Sequence, residues 1–255
     1  MIIDTHAHYD SERYNADRHE IIKALPGNGI EKIINIGCDW KTSKASVKLA
    51  ETYPHVYATV GYHPHYVKHL SEELFEDIKK LCKNKKVVGF GEIGLDFFHN
   101  HSPQVVQRRW FKRLLDFVAG LGLPAIIHSR DANDEVFEMI KASEVRSGVI
   151  HAFSGDAALA CAYVKMGFYI GIGGVVTFKK TDILKEAVHA IPLERILLET
   201  DCPYLSPEPF RGQRNESSYL SCVAAQIAKI KGVPAEKICE QTTENAKKLF
   251  SIDSI

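Results

Sequence analysis

Met1-Ile2-Ile3-Asp4-Thr5-His6-Ala7-His8 opens the chain with a short apolar run that ends in two histidines one residue apart. The run reads as a buried strand. Residues i and i+2 of a strand face the same way, so both imidazoles can reach one ion. An open, doubly wound α/β sheet carries a glycine-rich phosphate fingerprint after its first strand. Here the strand ends in His6-Ala7-His8 instead. The arrangement recurs down the chain. Glu92 follows KVVGFG, His128 follows LPAII, His151 follows SGVI and Asp201 follows RILLET. Metal-binding residue types at the downstream ends of successive strands describe one site at one rim of a parallel sheet.

Eight apolar runs carry this pattern, near residues 1–6, 31–37, 56–61, 87–92, 124–128, 148–151, 168–173 and 195–200. Amphipathic stretches lie between them. The spacing predicts helices over 16–28, 42–52, 72–81, from Ser102-Pro103 onward, and over 131–143, 156–166, 179–190, 215–231 and 234–249. Strands alternating with helices predict an α/β fold, a parallel eight-stranded (β/α)8 TIM barrel. Its length suits a single domain over residues 1–255, and there is no internal repeat or linker-like composition shift.

Lys plus Arg and Asp plus Glu each total 32, so the net charge is zero. A broad basic surface is excluded, and a nucleic-acid contact has to be a local patch. This disfavours a binding module but not an enzyme that grips one or two phosphates. The six cysteines form no CxxC and are expected as free thiols in a reducing compartment. Cys202 adjoins Asp201 and is either a thiolate ligand or a small apolar filler. The N-terminus has no basic n-region, and no run approaches the ~20 apolar residues that span a bilayer. The expectation is a cytoplasmic protein with no membrane contact and no obligate protein partner.

Each ligand-type residue has a role that its surroundings suggest. Asp4 either orients one of the first two rings or caps a turn. Glu92 stands among glycines and apolar residues, where an unpaired carboxylate is costly. It either bridges two cations through its two oxygens or pairs with an arginine. Asp96, four residues on, is either a support for the site or a surface turn residue. Arg130 either holds a phosphate oxygen or pairs with Asp131 or Asp134. His63, in Gly61-Tyr62-His63-Pro64-His65, is a candidate acid, base or phosphate contact, with His65 a turn residue. Asp201 can ligate a metal and accept a proton from water. Glu199 lies deeper on the same strand face as supporting structure. Arg211 and Arg214 place two guanidiniums in the loop after the last strand, on the rim where barrels bind phosphate.

In this order HAH, GYHPH, GEIGLD, PAIIHSRDA, HAFSG, ETDCPYL and PFRGQRNE closely resemble the motifs of the TatD family of metal-dependent deoxyribonucleases, in the amidohydrolase-like group of metal barrels. The resemblance runs from Met1 to the C-terminal helices. It implies a two-metal barrel hydrolase in which His6, His8, Glu92, His128, His151 and Asp201 are the metal ligands and Glu92 is the bridge. Barrel relatives that bridge with a carboxylated lysine take it from the fourth strand, the place Glu92 holds here. The resemblance also implies that His63 lines the site and that Arg211 with Asn215 shapes the substrate cleft. Two positions depart from the family pattern. Ala152 stands where the family often has Cys, and Ser217 follows Glu216 where Pro is common.

The expected activity is hydrolysis of DNA phosphodiester bonds by a water activated between two divalent cations, Zn, Mg or Mn. Asp201 is expected to take the water's proton, and His63 or Arg130 to stabilise or protonate the leaving group. The alternative keeps the site and changes the electrophile to the ester of D-aminoacyl-tRNA. A non-catalytic metal or nucleic-acid binding protein is disfavoured by the zero net charge and the completeness of the ligand set.

Overall fold

Strands β1 (Ile2–Ala7), β2 (Ile30–Ile36), β3 (Val56–Val60), β4 (Val87–Asp96), β5 (Ala125–Arg130), β6 (Gly148–Ile150), β7 (Tyr169–Ile172) and β8 (Ile196–Leu198) pair side by side in chain order, every pair parallel. In this computed structural model residues 1–252 are described, so the last three residues of the expected 1–255 domain lie outside the described residues. The seam between β8 and β1 is held by a parallel bridge of Ala7 with Cys202. Asp201 N–H donates to His6 O at 2.9 Å and His8 N–H to Cys202 O at 2.8 Å. The sheet is therefore the TIM barrel that the alternation predicts.

Helices α1 (Arg18–Ala24), α2 (Trp40–Thr52), α3 (Glu72–Leu81), α4 (Gln104–Ala119), α5 (Asn133–Lys141), α6 (Ala157–Lys165), α7 (Asp182–Ala190), α8 (Leu220–Lys231) and α9 (Ala235–Phe250) follow the strands. Their starts are set by side chains that satisfy orphan backbone donors. Asp39 and Thr42 form a capping box that begins α2 two residues before its expected start. Ser71 caps α3 and Asp156 caps α6. The stretches expected as helix over 16–28, 179–190 and 215–231 are shorter α-helices preceded or followed by 3₁₀ turns.

The core has two layers. Ile3, Ile34, Val88, Ile126, Val149, Tyr169 and Leu197 form one cluster inside the barrel, joined by Ala246, Leu249 and Phe250 of α9. Alternate strand residues such as Ile2, Ile33, Ile127 and Leu198 face the helices in the other cluster. Thr243 of α9 donates to Met1 O, and Asn245 donates to Ile196 O. α9 thus plugs the end where the strands begin and leaves the opposite rim for the site.

Two irregularities place the ligand-type residues. The β1–β2 register slips between Asp4 and Ala7, and the β4–β5 register slips between Phe90 and Ile93. Strict alternation from the inward Ile3 would turn Thr5 inward and His6 out. The slip re-aims His6, and Glu92 lies in the other slip. β4 runs four residues beyond its expected end at Glu92, to Asp96. Gly94 permits this: it has φ +153°, and a Cβ there would collide with the carbonyl oxygen of His128 on β5.

Candidate metal centre

His6, His8, His63, Glu92, His128, His151 and Asp201 converge at the open rim. His6 Nε2 lies 3.2 Å from His8 Nε2, 3.5 Å from Glu92 Oε2 and 3.8 Å from Asp201 Oδ1. His8 Nε2 lies 3.3 Å from Asp201 Oδ1. On the other side, Glu92 Oε1 lies 2.7 Å from His128 Nδ1, 3.6 Å from His63 Nε2 and 3.8 Å from His151 Nε2. The two oxygens of Glu92 therefore face two different groups of imidazoles. Its ion-pair partners are these histidines, not the arginine that was the alternative.

Most of these rings hold one nitrogen outward and turn the other in. His8 Nδ1 lies 3.2 Å from Ile36 O, His151 Nδ1 ion-pairs with Glu199 Oε1 at 3.0 Å, and His128 Nε2 lies 3.3 Å from Asp96 Oδ2. An outward N–H on an acceptor leaves the inward nitrogen of a neutral ring with a lone pair. Lone pairs of His8 and His128 thus point at His6, Asp201 and Glu92. A proton or a cation has to occupy such places, which is the fit a divalent ion requires. His6 stacks on His151 with centroids 3.4 Å apart, and its Nδ1 is buried with no hydrogen-bond partner among the described residues.

The titration of these groups follows from their packing. Burial opposes charge on His151, but Glu199 and Glu92 outweigh it and push the ring up to about 9. Burial would raise Glu92, yet the imidazoles of His63, His151 and His128 hold it well below the usual carboxylate range. Asp201 is likewise held down against burial by His8 and His151. Protons on the inward nitrogens balance the carboxylates, and a cation that entered would release them.

His63 is wired the other way. Its Nδ1 accepts the N–H of His65 at 3.1 Å, so the neutral ring carries its hydrogen on Nε2, toward Glu92 and His128. Burial, against the pull of Glu92, holds this ring well below its ordinary pKa. It is a neutral donor at the edge of the cluster.

Over residues 3–251 the sequence matches the family described as TatD related DNase. The chain belongs to the TatD family. An uncharacterized metal-dependent hydrolase of Bacillus subtilis, YabD, is 42% identical over 255 residues, covering 99% of this chain and 100% of that protein. The 3'-5' ssDNA/RNA exonuclease TatD of Klebsiella pneumoniae is 31% identical, covering 99% of this chain and 98% of its own. The crystal structure of YJJV, a TatD homolog from Escherichia coli, superposes with a TM-score of 0.93 at 30% identity, covering 99% and 98% of the two chains. The chain is thus a metal-dependent hydrolase of the TatD type.

Around this TatD centre the remaining expected residues take distinct places. Arg130 is exposed and lies 4.3 Å over the Phe98 ring, with no ion pair to Asp131 or Asp134 among the described residues. Arg211 is exposed and packs 3.7 Å over Phe178, whereas Arg214 is tied to Asp17. Asn215 is fully buried, and its amide donates to Thr200 O at 2.9 Å and Tyr204 O at 2.7 Å. It braces the loop after β8, so any effect on a cleft comes through the shape of that loop. Cys202 is a buried apolar filler whose thiol burial pushes up to about 12. All six cysteines are free. Asp4 touches no ring: its oxygens accept from Thr200, Ser217 and the His6 N–H.

Three further residues stand in the TatD site: Asp96, which sequence reasoning left undecided, Glu199, which it read as supporting structure, and Cys38, which it overlooked. Asp96 is 1% exposed and binds His128 and His65. Glu199 fills space that Gly171 leaves, since a Cβ there would collide with its carboxylate, and it anchors His151. Cys38, after β2, brings Sγ to 3.8 Å from Glu92 Oε2. Its position just past an apolar run is the same signal that marks the histidines.

Proposed function

We propose that this TatD barrel hydrolyses phosphodiester bonds of DNA with two divalent cations. The supporting observation is the two-sided Glu92, whose oxygens separately face His6 and the His63–His128–His151 group. On this reading His6, His8 and Asp201 hold one cation, His128 and His151 the other, and Glu92 both. Divalent cations in such a place lower the pKa of a water and neutralise charge on a phosphate. The chain's own residues do the rest. Asp201 accepts the proton of the attacking water; its φ of +55° lies in the left-handed region that a short polar side chain tolerates. His63 Nε2–H donates toward the phosphate or its leaving oxygen. Arg130 and Arg211 grip flanking phosphates.

A single strand suits this rim. Tyr66, Phe98 and Tyr204 are 42%, 57% and 51% exposed, each in a segment that follows a strand's downstream end. Exposed rings stack bases without sequence preference. The relative from Klebsiella pneumoniae, by its name, acts on ssDNA and RNA.

The test is metal-free protein, refilled with one cation at a time, on labelled single-stranded DNA and on D-aminoacyl-tRNA. DNA should be shortened and the tRNA ester left intact. Cleavage of the ester with DNA untouched would assign the site to the deacylase reading instead. Glu92→Ala should lose both equivalents by elemental analysis, and full retention of two would remove Glu92 as the bridge.

A further inference from the structure

A second group of ligand-type side chains stands beside the centre, after β4. Asp96 Oδ2 lies 2.8 Å from His65 Nε2, 3.2 Å from His99 Nδ1 and 3.3 Å from His128 Nε2. One carboxylate oxygen offers two lone pairs, so three rings crowd it. His65 and His99 approach from the solvent side, His128 from the centre. One ligand atom from each of His65, Asp96 and His99 lies within 4.8 Å of the others. The ring of His101 flanks this group, with centroids 4.6 Å from His65 and 5.4 Å from His99. A cavity of about 320 Å³ lined by His65, Tyr66, Lys68, His69 and His101 opens beside it, with room for waters.

We propose that His65, Asp96 and His99 bind a further transition-metal cation, separate from the hydrolytic centre, with water from the cavity completing its coordination. Two imidazoles and one carboxylate suit zinc, cobalt or nickel. Magnesium and calcium demand more oxygen ligands than this group offers. Each ring can turn a lone pair to the cation once the ion replaces its proton on Asp96. Only one carboxylate neutralises the ion and the group is open to solvent, so this equivalent is held more weakly than those around Glu92. Asp96 also anchors His128, so the added ion shares a ligand with the support of the centre.

Equilibrium dialysis of the full chain against cobalt(II), with elemental analysis, reads the site directly. Wild type should hold one equivalent more than His99→Ala, lost first on dilution and not displaced by magnesium. Equal stoichiometry in the two proteins overturns the proposal. His99 is partly exposed at the surface and is no part of the hydrolytic residues. The outcome is a difference between variants, so it does not depend on whether the centre itself holds one cation or two. A second measurement needs no variant. In zinc(II) titrations of wild type monitored by NMR, the His99 ring resonance should shift as the last, weakest-held equivalent fills, after those of the centre. A resonance unchanged until zinc is in large excess contradicts the site.

Discussion

His63 differs from the other rim imidazoles in which nitrogen it keeps. His8, His128 and His151 give their outward nitrogens to Ile36 O, Asp96 and Glu199 and turn the other inward, whereas His63 accepts on Nδ1 from a backbone N–H. A ring with hydrogen on Nε2 donates and does not ligate. Replacing His63 by Ala should therefore leave the metal content unchanged while turnover of a phosphodiester falls by about 10²–10⁴-fold, the range for losing a general acid. Elemental analysis alongside kcat separates the roles, and loss of a full cation equivalent would make His63 a ligand.

The β1–β8 seam shows how an element depends on a buried charge. Asp4 on β1 gathers Thr200 N–H, Thr200 Oγ1, Ser217 Oγ and the His6 N–H on its carboxylate, and Thr5 Oγ1 donates to Leu198 O. Burial raises Asp4 from 3.8 to about 6, against the pull of Ser217 and Thr200. A raised native pKa means that the folded state binds the proton more tightly. That stabilisation is fully present below pH 3.8 and is lost as pH rises through about 6. Asp4→Asn carries no such proton. In urea unfolding of the metal-free proteins, wild type should lose about 2 kcal/mol relative to the Asn variant between pH 4 and pH 7, because a shift of about two units at 1.36 kcal/mol each is about 3 kcal/mol in full and part of it is already lost at pH 4. A gap that does not change with pH would mean that Asp4 is ionised in both states.

At the scale of the molecule the two ends of the barrel are secured differently. α9 closes the lower end with Leu249 and Phe250 packed into the inner cluster. The upper rim carries His6, Glu92, His128, His151 and Asp201 from distant segments, linked through groups that a cation would tie together. No helix among the described residues is long and apolar enough to cross a membrane. A cation at 100 times its Kd adds about 2.7 kcal/mol, which moves Tm by roughly 5–10 °C in a chain of this size. Chelation should lower the melting temperature by that amount in wild type and by less in His128→Ala. An unchanged Tm, with metal loss confirmed, would show that the rim is rigid without its ions.

Local pattern carries what local physics decides. Short Ile- and Val-rich runs separated by amphipathic stretches can bury their faces only as alternating strands and helices, and the barrel follows from their number. Polar residues just past those runs lie at the downstream rim, so His6, Glu92, His128, His151 and Asp201 were legible as one constellation. Ser71 marks the start of α3 for the same local reason. Contacts made far along the chain are different. Glu199 reaches His151 because Gly171 on the neighbouring strand leaves room, and Asp96 reaches His65 and His128 because β4 runs past Glu92. The inward turn of His6 depends on a register slip between two strands. Periodicity along one strand cannot specify the register of the next, because that is set by which pairing best fills the barrel interior. The tautomer of each ring depends in turn on the acceptor that this pairing brings to its outer nitrogen.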